Sequence, residues 1–344
     1  MSFNKICVLG GSGFVGTALV SELAARGRQV KVLTRRREHA KGLILLPTVE
    51  VVQADVHDER VLAREFRGCD AVINLVGVLH ESRKGRVDKP QARRGDFHEN
   101  HVELPRKAIG ACAEAGISRF LHMSALGADP TSRSAYQRSK GVGEALVREA
   151  GWEPVADPGT LGGAKLTARR GMQITIFRPS VIFGPGDSFL NLFGRLLKLL
   201  PVVPLACPHA RFQPVYVGDV AKAFADSLDD PAAFGQTYDL CGPDQYTLLE
   251  LMQFLQVTLK GGGRLIPLSE RLSYFNAWLL ELKPGAKLMT RDNYYAMQTP
   301  NVCTGANSFP PGWQPQALEA LAPAWLTDAQ ARGHYDAYRN QAHR

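Results

Sequence analysis

A short apolar run, Lys5 to Leu9, leads directly into Gly10-Gly11-Ser12-Gly13-Phe14-Val15-Gly16, and Ala18, Leu19 and Leu23 then recur at helical spacing. A strand that empties into a glycine-rich turn and a helix leaves few folds open. Gly10 lets the chain turn sharply out of the strand, Gly13 lets backbone approach a pyrophosphate, and Gly16 permits close helix-to-strand packing. An anion held there also meets the positive end of the helix, with Ser12, Phe14 and Val15 supplying backbone between the glycines. The order of elements predicts a bound dinucleotide.

The following residues keep alternating. Val30, Val32 and Leu33 predict a second strand, Val49 to Val52 a third, ended by Asp55, and Ala71 to Val76 a fourth. Ile117 to Met123 reads as a fifth, after the helical pattern of Val102 to Ala115, and Ile174 to Phe177 as a sixth. The fourth is largely apolar, as expected where helices cover both faces of a sheet. The fold class predicted is α/β, a doubly wound parallel sheet with right-handed crossovers. Residues 1–182 and 215–242 are expected to form the nucleotide-binding domain. Residues 183–214 and 243–330 are expected to form a smaller C-terminal substrate lobe, closing over the ligand at the carboxyl ends of the strands.

The second strand ends in Thr34-Arg35-Arg36-Arg37, where an NAD site would place an acidic residue. A guanidinium there pairs with a 2′-phosphate, so Arg35 and Arg36 favour NADP(H) over NAD(H). Tyr136 and Lys140 lie at i and i+4 and so share one face of a helix. A nearby ammonium is expected to lower the tyrosine pKa, fitting it to exchange a proton with a substrate oxygen while a nicotinamide exchanges a hydride. Ser124, at the end of the fifth strand, is expected to orient that oxygen. Asn100 is expected to organise a water chain linked to the lysine.

Gly10-x-x-Gly13-x-x-Gly16, Asp55, Asn74-Leu75-Val76-Gly77, Asn100, Ser124, Tyr136/Lys140 and Arg178-Pro179-Ser180-Val181-Ile182-Phe183-Gly184-Pro185-Gly186-Asp187 occur in this order. Together they resemble the extended or atypical short-chain dehydrogenase/reductase superfamily, the epimerase/dehydratase-like Rossmann proteins. Val72 to Gly77, Ser124 to Ala128 and Arg211 to Val215 carry a narrower likeness. It is to the branch of the nucleotide-binding accessory subunit of mitochondrial complex I and its bacterial relatives. The resemblance implies that Asp55 and Val56 meet the adenine, and that Leu75, Val76 and Gly77 line the ribose and pyrophosphate. It further implies that Tyr136 and Lys140 hold the nicotinamide ribose, that backbone from Pro179 to Val181 meets the nicotinamide, and that Arg211 meets the substrate. Two features depart from the pattern. The stretch from Trp152 to Met172 is longer than usual and is expected to be disordered, with a lid or an oligomer contact as alternatives, and the Ser124-to-Tyr136 interval is short.

Forty-one basic against thirty-three acidic residues give a net charge of +8. No nucleic-acid module accompanies the basic groups, so a solvated basic face is expected rather than nucleic-acid binding. The six scattered cysteines, without a CxxC pair, predict free thiols and neither a zinc site nor a disulfide. No apolar run reaches the ~18 to 20 residues of a membrane span. The N-terminus lacks the layout of a signal peptide, so a cytoplasmic protein is expected, with peripheral attachment to the inner face of a membrane as the variant. Phe189 to Leu200 is greasy yet carries Arg195 and Lys198. It reads first as a helix packed on the lobe core, and second as the wall of an apolar pocket or a surface that touches lipid. The resulting expectation is an oxidoreductase for a quinone- or lipid-like carbonyl or alcohol. The alternatives are a non-catalytic NADPH-holding accessory or assembly factor of a respiratory or quinone-synthesis complex, and a sugar-nucleotide epimerase or dehydratase. Oligomeric state stays open.

Overall fold

The computed structural model describes residues 2–81, 95–151, 153–156, 166–282, 287–305 and 309–327. They divide into two compact units: Met1–Pro179 with Val220–Leu240 and Thr304–Trp313, and Ser180–Asp219 with Cys241–Cys303 and Gln314–Arg344.

The first unit is built on a seven-stranded sheet. Five strands come early, β1 (Lys5–Leu9), β2 (Gln29–Thr34), β3 (Val49–Gln53), β4 (Ala71–Asn74) and β5 (Arg119–Met123), followed by Gln173–Pro179 and Thr237–Leu240. In space the order is Thr237–Leu240, Gln173–Pro179, β5, β4, β1, β2, β3, and every pairing is parallel. The chain builds outward from β1 in one direction to β2 and β3, and in the other from β4 onward. The topological switch therefore falls between β1 and β4, where doubly wound sheets bind ligands beyond the strand ends. Cys7, Leu9, Phe66, Val72, Phe120 and Ile174 belong to one buried cluster under this sheet. The buried guanidinium of Arg119 ties it to a neighbouring helix, donating to the carbonyls of Ser227 and Leu228 and to Thr175 Oγ1.

Two local expectations need correction. β5 begins at Arg119 rather than Ile117, because the Ile117 amide returns to Cys112 and closes the preceding helix, with Gly116 at φ +71° as its left-handed cap. Within the stretch expected to be disordered, Glu153–Ala156 pairs antiparallel with Leu166–Arg170, so part of it is a two-stranded ladder. Residues 152 and 157–165 lie outside the described residues.

The second unit has its own core, with Phe183, Leu190, Leu197, Phe212, Leu251 and Leu255 among its buried members. The helix Leu190–Leu199 turns Leu190 and Leu197 into that core, so the greasy segment packs first of all on its own lobe. Asp187 starts it by accepting from the amides of Phe189 and Leu190 at 2.8 and 2.6 Å. The strand Val202–Leu205 pairs in parallel with Arg264–Pro267. Cys241 and Cys303, 62 residues apart, form a disulfide. This overturns the expectation of six free thiols: spacing along the chain does not reveal which cysteines the fold brings together. Cys7, Cys69, Cys112 and Cys207 are free. Among the described residues no helix is long and apolar enough to cross a membrane.

Candidate functional site

The glycine turn leaves β1 at Gly10, whose φ of +79° a side chain rarely tolerates. Its carbonyl accepts from the Gly13 amide at 3.0 Å and closes the turn. A Cβ on Gly16 would lie 2.2 Å from that same carbonyl, so only glycine lets the helix α1 (Phe14–Ala25) start against the turn. At Gly13 an added Cβ would meet only the Gly10 carbonyl, at 3.2 Å, and the residue is exposed. The helix it caps has no side-chain cap and no acidic residue in its first turn. Its positive end is thus uncompensated by side chains and suits an anion such as a pyrophosphate. Phe14 is half-buried and Val15 buried.

Neighbouring strand ends complete this rim. Ser12 Oγ lies 3.0 Å from Thr34 Oγ1, which donates to the Arg36 carbonyl, and Arg35 and Arg36 are both exposed beside it. Asp55 is exposed, its carboxylate accepting from the His57 amide, while Val56 is buried. Beyond β4, Leu75 is buried, Val76 half-buried and Gly77 exposed. The Val76 amide donates to Asn74 Oδ1.

The helix Ala135–Glu149 presents Tyr136, Lys140 and Glu144 along one face, four residues apart. It lies close to the preceding helical segment because it carries glycine there. A Cβ on Gly143 would fall 1.8 Å from the His101 carbonyl. Lys140 is buried, donates to the Met123 carbonyl at 3.1 Å, and has its ammonium against Gly77. Burial lowers its pKa to about 8, partly offset by Glu144. The half-buried Tyr136 contradicts the expectation of a lowered pKa: burial drives it up to about 12. The desolvation of the phenolate outweighs any help from the lysine.

Ser124 also departs from its expected role. Its hydroxyl donates to Glu144 Oε2 at 2.6 Å, and Arg178 grips the same carboxylate through Nε at 2.8 Å and a terminal nitrogen at 2.6 Å. A serine has one proton to give, and this one is given to Glu144. Asn100 likewise departs, folding back along its own helical segment to donate to the Asp96 carbonyl at 2.7 Å. The residue next to it enters the site instead. A π-helical turn, Glu99–Glu103, rotates His101 so that its Nε2 accepts from the Val78 amide at 3.0 Å and its Nδ1 lies 2.8 Å from Ser139 Oγ. Ser139 in turn donates to the Tyr136 carbonyl. The His101 ring stands edge-on to Tyr136 at 5.5 Å, and burial holds its pKa down at about 2, so it is a neutral imidazole. His122, buried on β5 beside Asn74, is also held neutral by burial, with a pKa of about 3. Sequence reasoning passed over His101 and Glu144. Their signal lay in position alone, one residue after Asn100 and one turn after Lys140.

Of the remaining residues, Pro179 accepts from the Leu126 amide. The Val181 amide donates to Asn301 Oδ1 at 2.9 Å and its carbonyl accepts from Val215. Arg211 is exposed and donates to Gln245 Oε1 at 2.6 Å.

Comparison with known proteins agrees with this architecture. The chain matches the family model of the NAD dependent epimerase/dehydratase family over residues 6–241. It is 32% identical over 254 residues to the mouse mitochondrial NADH dehydrogenase [ubiquinone] 1 alpha subcomplex subunit 9, covering 72% of this chain and 59% of the mouse protein. It thus spans less than two thirds of that relative's length. To the ceramide reductase of Caulobacter vibrioides it is 30% identical over 267 residues, covering 77% and 74% of the two chains. Among solved structures, an NADPH-dependent quinone oxidoreductase of Escherichia coli complexed with NADPH superposes with a TM-score of 0.68 at 18% identity. That match covers 93% of this chain and 99% of the other, and shows a shared fold. A Rossmann sheet, a glycine turn at its switch point and a Tyr/Lys helix beside it agree with the sequence match: the chain belongs to the NAD dependent epimerase/dehydratase family.

Proposed function

We propose that this protein is an NADP(H)-dependent oxidoreductase that reduces a carbonyl on an apolar, quinone- or lipid-like molecule. The observation that carries the reading is the Tyr136–Lys140 pair: a phenol near pKa 12 beside a buried ammonium near pKa 8. At neutral pH such a phenol keeps its proton and yields it only to a strong base, such as the alkoxide that develops on a carbonyl under reduction. The ammonium then stabilises the phenolate left behind. A bound nicotinamide would supply the hydride. Gly10, Ser12, Gly13, Phe14, Val15 and Gly16 would hold its pyrophosphate on backbone, with Leu75, Val76 and Gly77 opposite. Arg35 and Arg36 would take the 2′-phosphate, and Asp55 with Val56 the adenine. Neutral His101 would hold Val78 and Ser139, and through them both sides of Lys140. Ser124 would act through Glu144 as a positioning residue. Backbone at Pro179 and Val181 would meet the nicotinamide, while Asn100 on its lysine-linked water chain and Arg211 at the substrate would first have to leave the Asp96 carbonyl and Gln245.

A second reading has its own observation. Because the Ser124 proton is committed to Glu144, the proton-donating set is smaller than the sequence pattern implies. The chain would then hold NADPH as a structural ligand within a respiratory complex, as its likeness to a complex I subunit suggests.

Turnover with a panel of quinones and long-chain ketones, measured alongside NADPH affinity for wild type and Tyr136→Phe, separates the two. The first reading expects the variant to keep NADPH binding, with at most the modest loss of one ribose contact, and to lose on the order of a hundredfold or more in kcat. Turnover unchanged in Tyr136→Phe sinks it. Tight NADPH binding with no turnover of any substrate favours the second.

A further inference from the structure

The helix Glu270–Leu282 is built inside out. Its buried residues are the small ones, Ser273 and Ala277, at 1% and 0% exposure. Its large apolar residues face water: Leu272 is 54% exposed, Phe275 55%, Leu279 52% and Trp278 39%. Positions 272, 275 and 279 fall at i, i+3 and i+7, so they form one stripe along the helix. The strand before it, Arg264–Pro267, and its partner also expose apolar side chains. In the parallel pair Val202–Leu205 with Arg264–Pro267, Val202 and Ile266 are exposed at 44% and 43%. Leu199, one turn before that pair, is 79% exposed.

A soluble surface carries scattered exposed apolar residues as a matter of course, but a run of this size marks something that binds. The charges carried by these same segments and their neighbours in sequence indicate what. In residues 190–205 and 257–282 there are five basic side chains, Arg195, Lys198, Lys260, Arg264 and Arg271, all exposed, against two acids. One of those acids, Glu281, is already bound by Arg291 at 2.8 Å. Exposed apolar and aromatic side chains on segments with an excess of cations suit the boundary between acyl chains and anionic headgroups. Phenylalanine and leucine enter the acyl edge, and tryptophan sits at headgroup depth.

We infer that the face formed by the helix Glu270–Leu282 and the adjoining strand pair docks this protein on an anionic lipid surface. The occupant is the membrane rather than a second copy or a protein partner, because an exposed apolar stripe on segments with five cations against two acids fits a continuous sheet of negative headgroups. The helix lies in the interfacial plane with Leu272, Phe275 and Leu279 inserted, while Arg264, Arg271 and Lys260 meet phosphates. This holds whether or not the nucleotide turns over. It would bring a lipid-like substrate within reach of the protein.

The test is co-sedimentation of the full-length protein with vesicles of phosphatidylcholine alone, and of phosphatidylcholine and phosphatidylglycerol in equal parts. Binding to the mixed vesicles is expected, weakened by salt, and weak or absent on phosphatidylcholine alone. The double variant Phe275→Ser/Leu279→Ser should bind the mixed vesicles at least about tenfold more weakly. Arg264→Glu/Arg271→Glu should lose the preference for the anionic lipid. These side chains are exposed, so an unchanged Tm shows that the variants fold. The inference is overturned if wild type binds neither vesicle, or if the serine pair binds like wild type. It is equally overturned if wild type is a lipid-free dimer that the serine pair converts to monomer, which would make this face a contact between copies.

Discussion

The helices Ala135–Glu149 and Glu270–Leu282 are of similar length and break the same rule in opposite directions. The first buries charge: Lys140 and Glu144 are 3% and 1% exposed. The second exposes leucine, phenylalanine and tryptophan while burying serine and alanine. Neither arrangement favours the isolated fold, since buried ions lose hydration and exposed apolar groups gain nothing. In the first helix the cost is offset internally, by Arg178, Arg148 and Ser124 around Glu144. In the second nothing among the described residues covers these side chains, and they are left for an external surface. A violation satisfied from within marks a site held ready; one left open marks a surface waiting for a partner.

The largest predicted effect would break the first half of this contrast. Glu144→Ala strips the partner from Arg178 and Ser124 and should cost about 3 to 5 kcal/mol in urea unfolding. Glu144→Gln, which can still accept from Ser124, should cost less. A loss under about 1 kcal/mol for the alanine variant would mean the network contributes little net stability.

Acid should act on the same region. His101 and His122 have folded pKa values near 2 and 3, below the ordinary 6.5. Between those values the unfolded chain binds more protons than the folded one, so stability is full above pH 6.5 and falls as pH decreases toward 3. The slope should be about 1.4 kcal/mol per pH unit for each histidine. Denaturant midpoints from pH 7.5 down to 5 test this, and His122→Gln should remove about half of the slope. A flat profile would show that neither ring is held neutral by burial.

Cofactor choice is a smaller effect. Arg36→Ser should reduce the preference for NADPH over NADH by roughly tenfold, worth about 1.4 kcal/mol, in a direct binding measurement. No change would move the 2′-phosphate contact to Arg35 or Arg37.

The smallest effect sharpens the other half of the contrast. Phe275→Ser with Leu279→Ser should leave stability within about 0.5 kcal/mol per site, as expected of exposed positions. A loss of 2 kcal/mol or more would show that these side chains are covered in solution.

Much of the first unit could be read directly from the chain. Short apolar runs at Lys5–Leu9, Val30–Leu33 and Ala71–Asn74, separated by turn and helix signals, read as strands, and the glycine turn follows the first of them. The i, i+4 spacing of Tyr136 and Lys140 was likewise enough to place them on one face. These are short-range consequences of backbone geometry, and they hold whatever the rest of the molecule does. What the tertiary structure decided depends on residues distant in sequence. Ser124 gives its proton to Glu144 because Arg178, 34 residues further on, fixes the carboxylate there. A π-helical turn chose His101 over Asn100, Cys241 met Cys303 across 62 residues, and burial raised Tyr136 where a neighbouring ammonium was expected to lower it. Desolvation and the choice of partner depend on everything that packs around a group, and no local pattern carries that information.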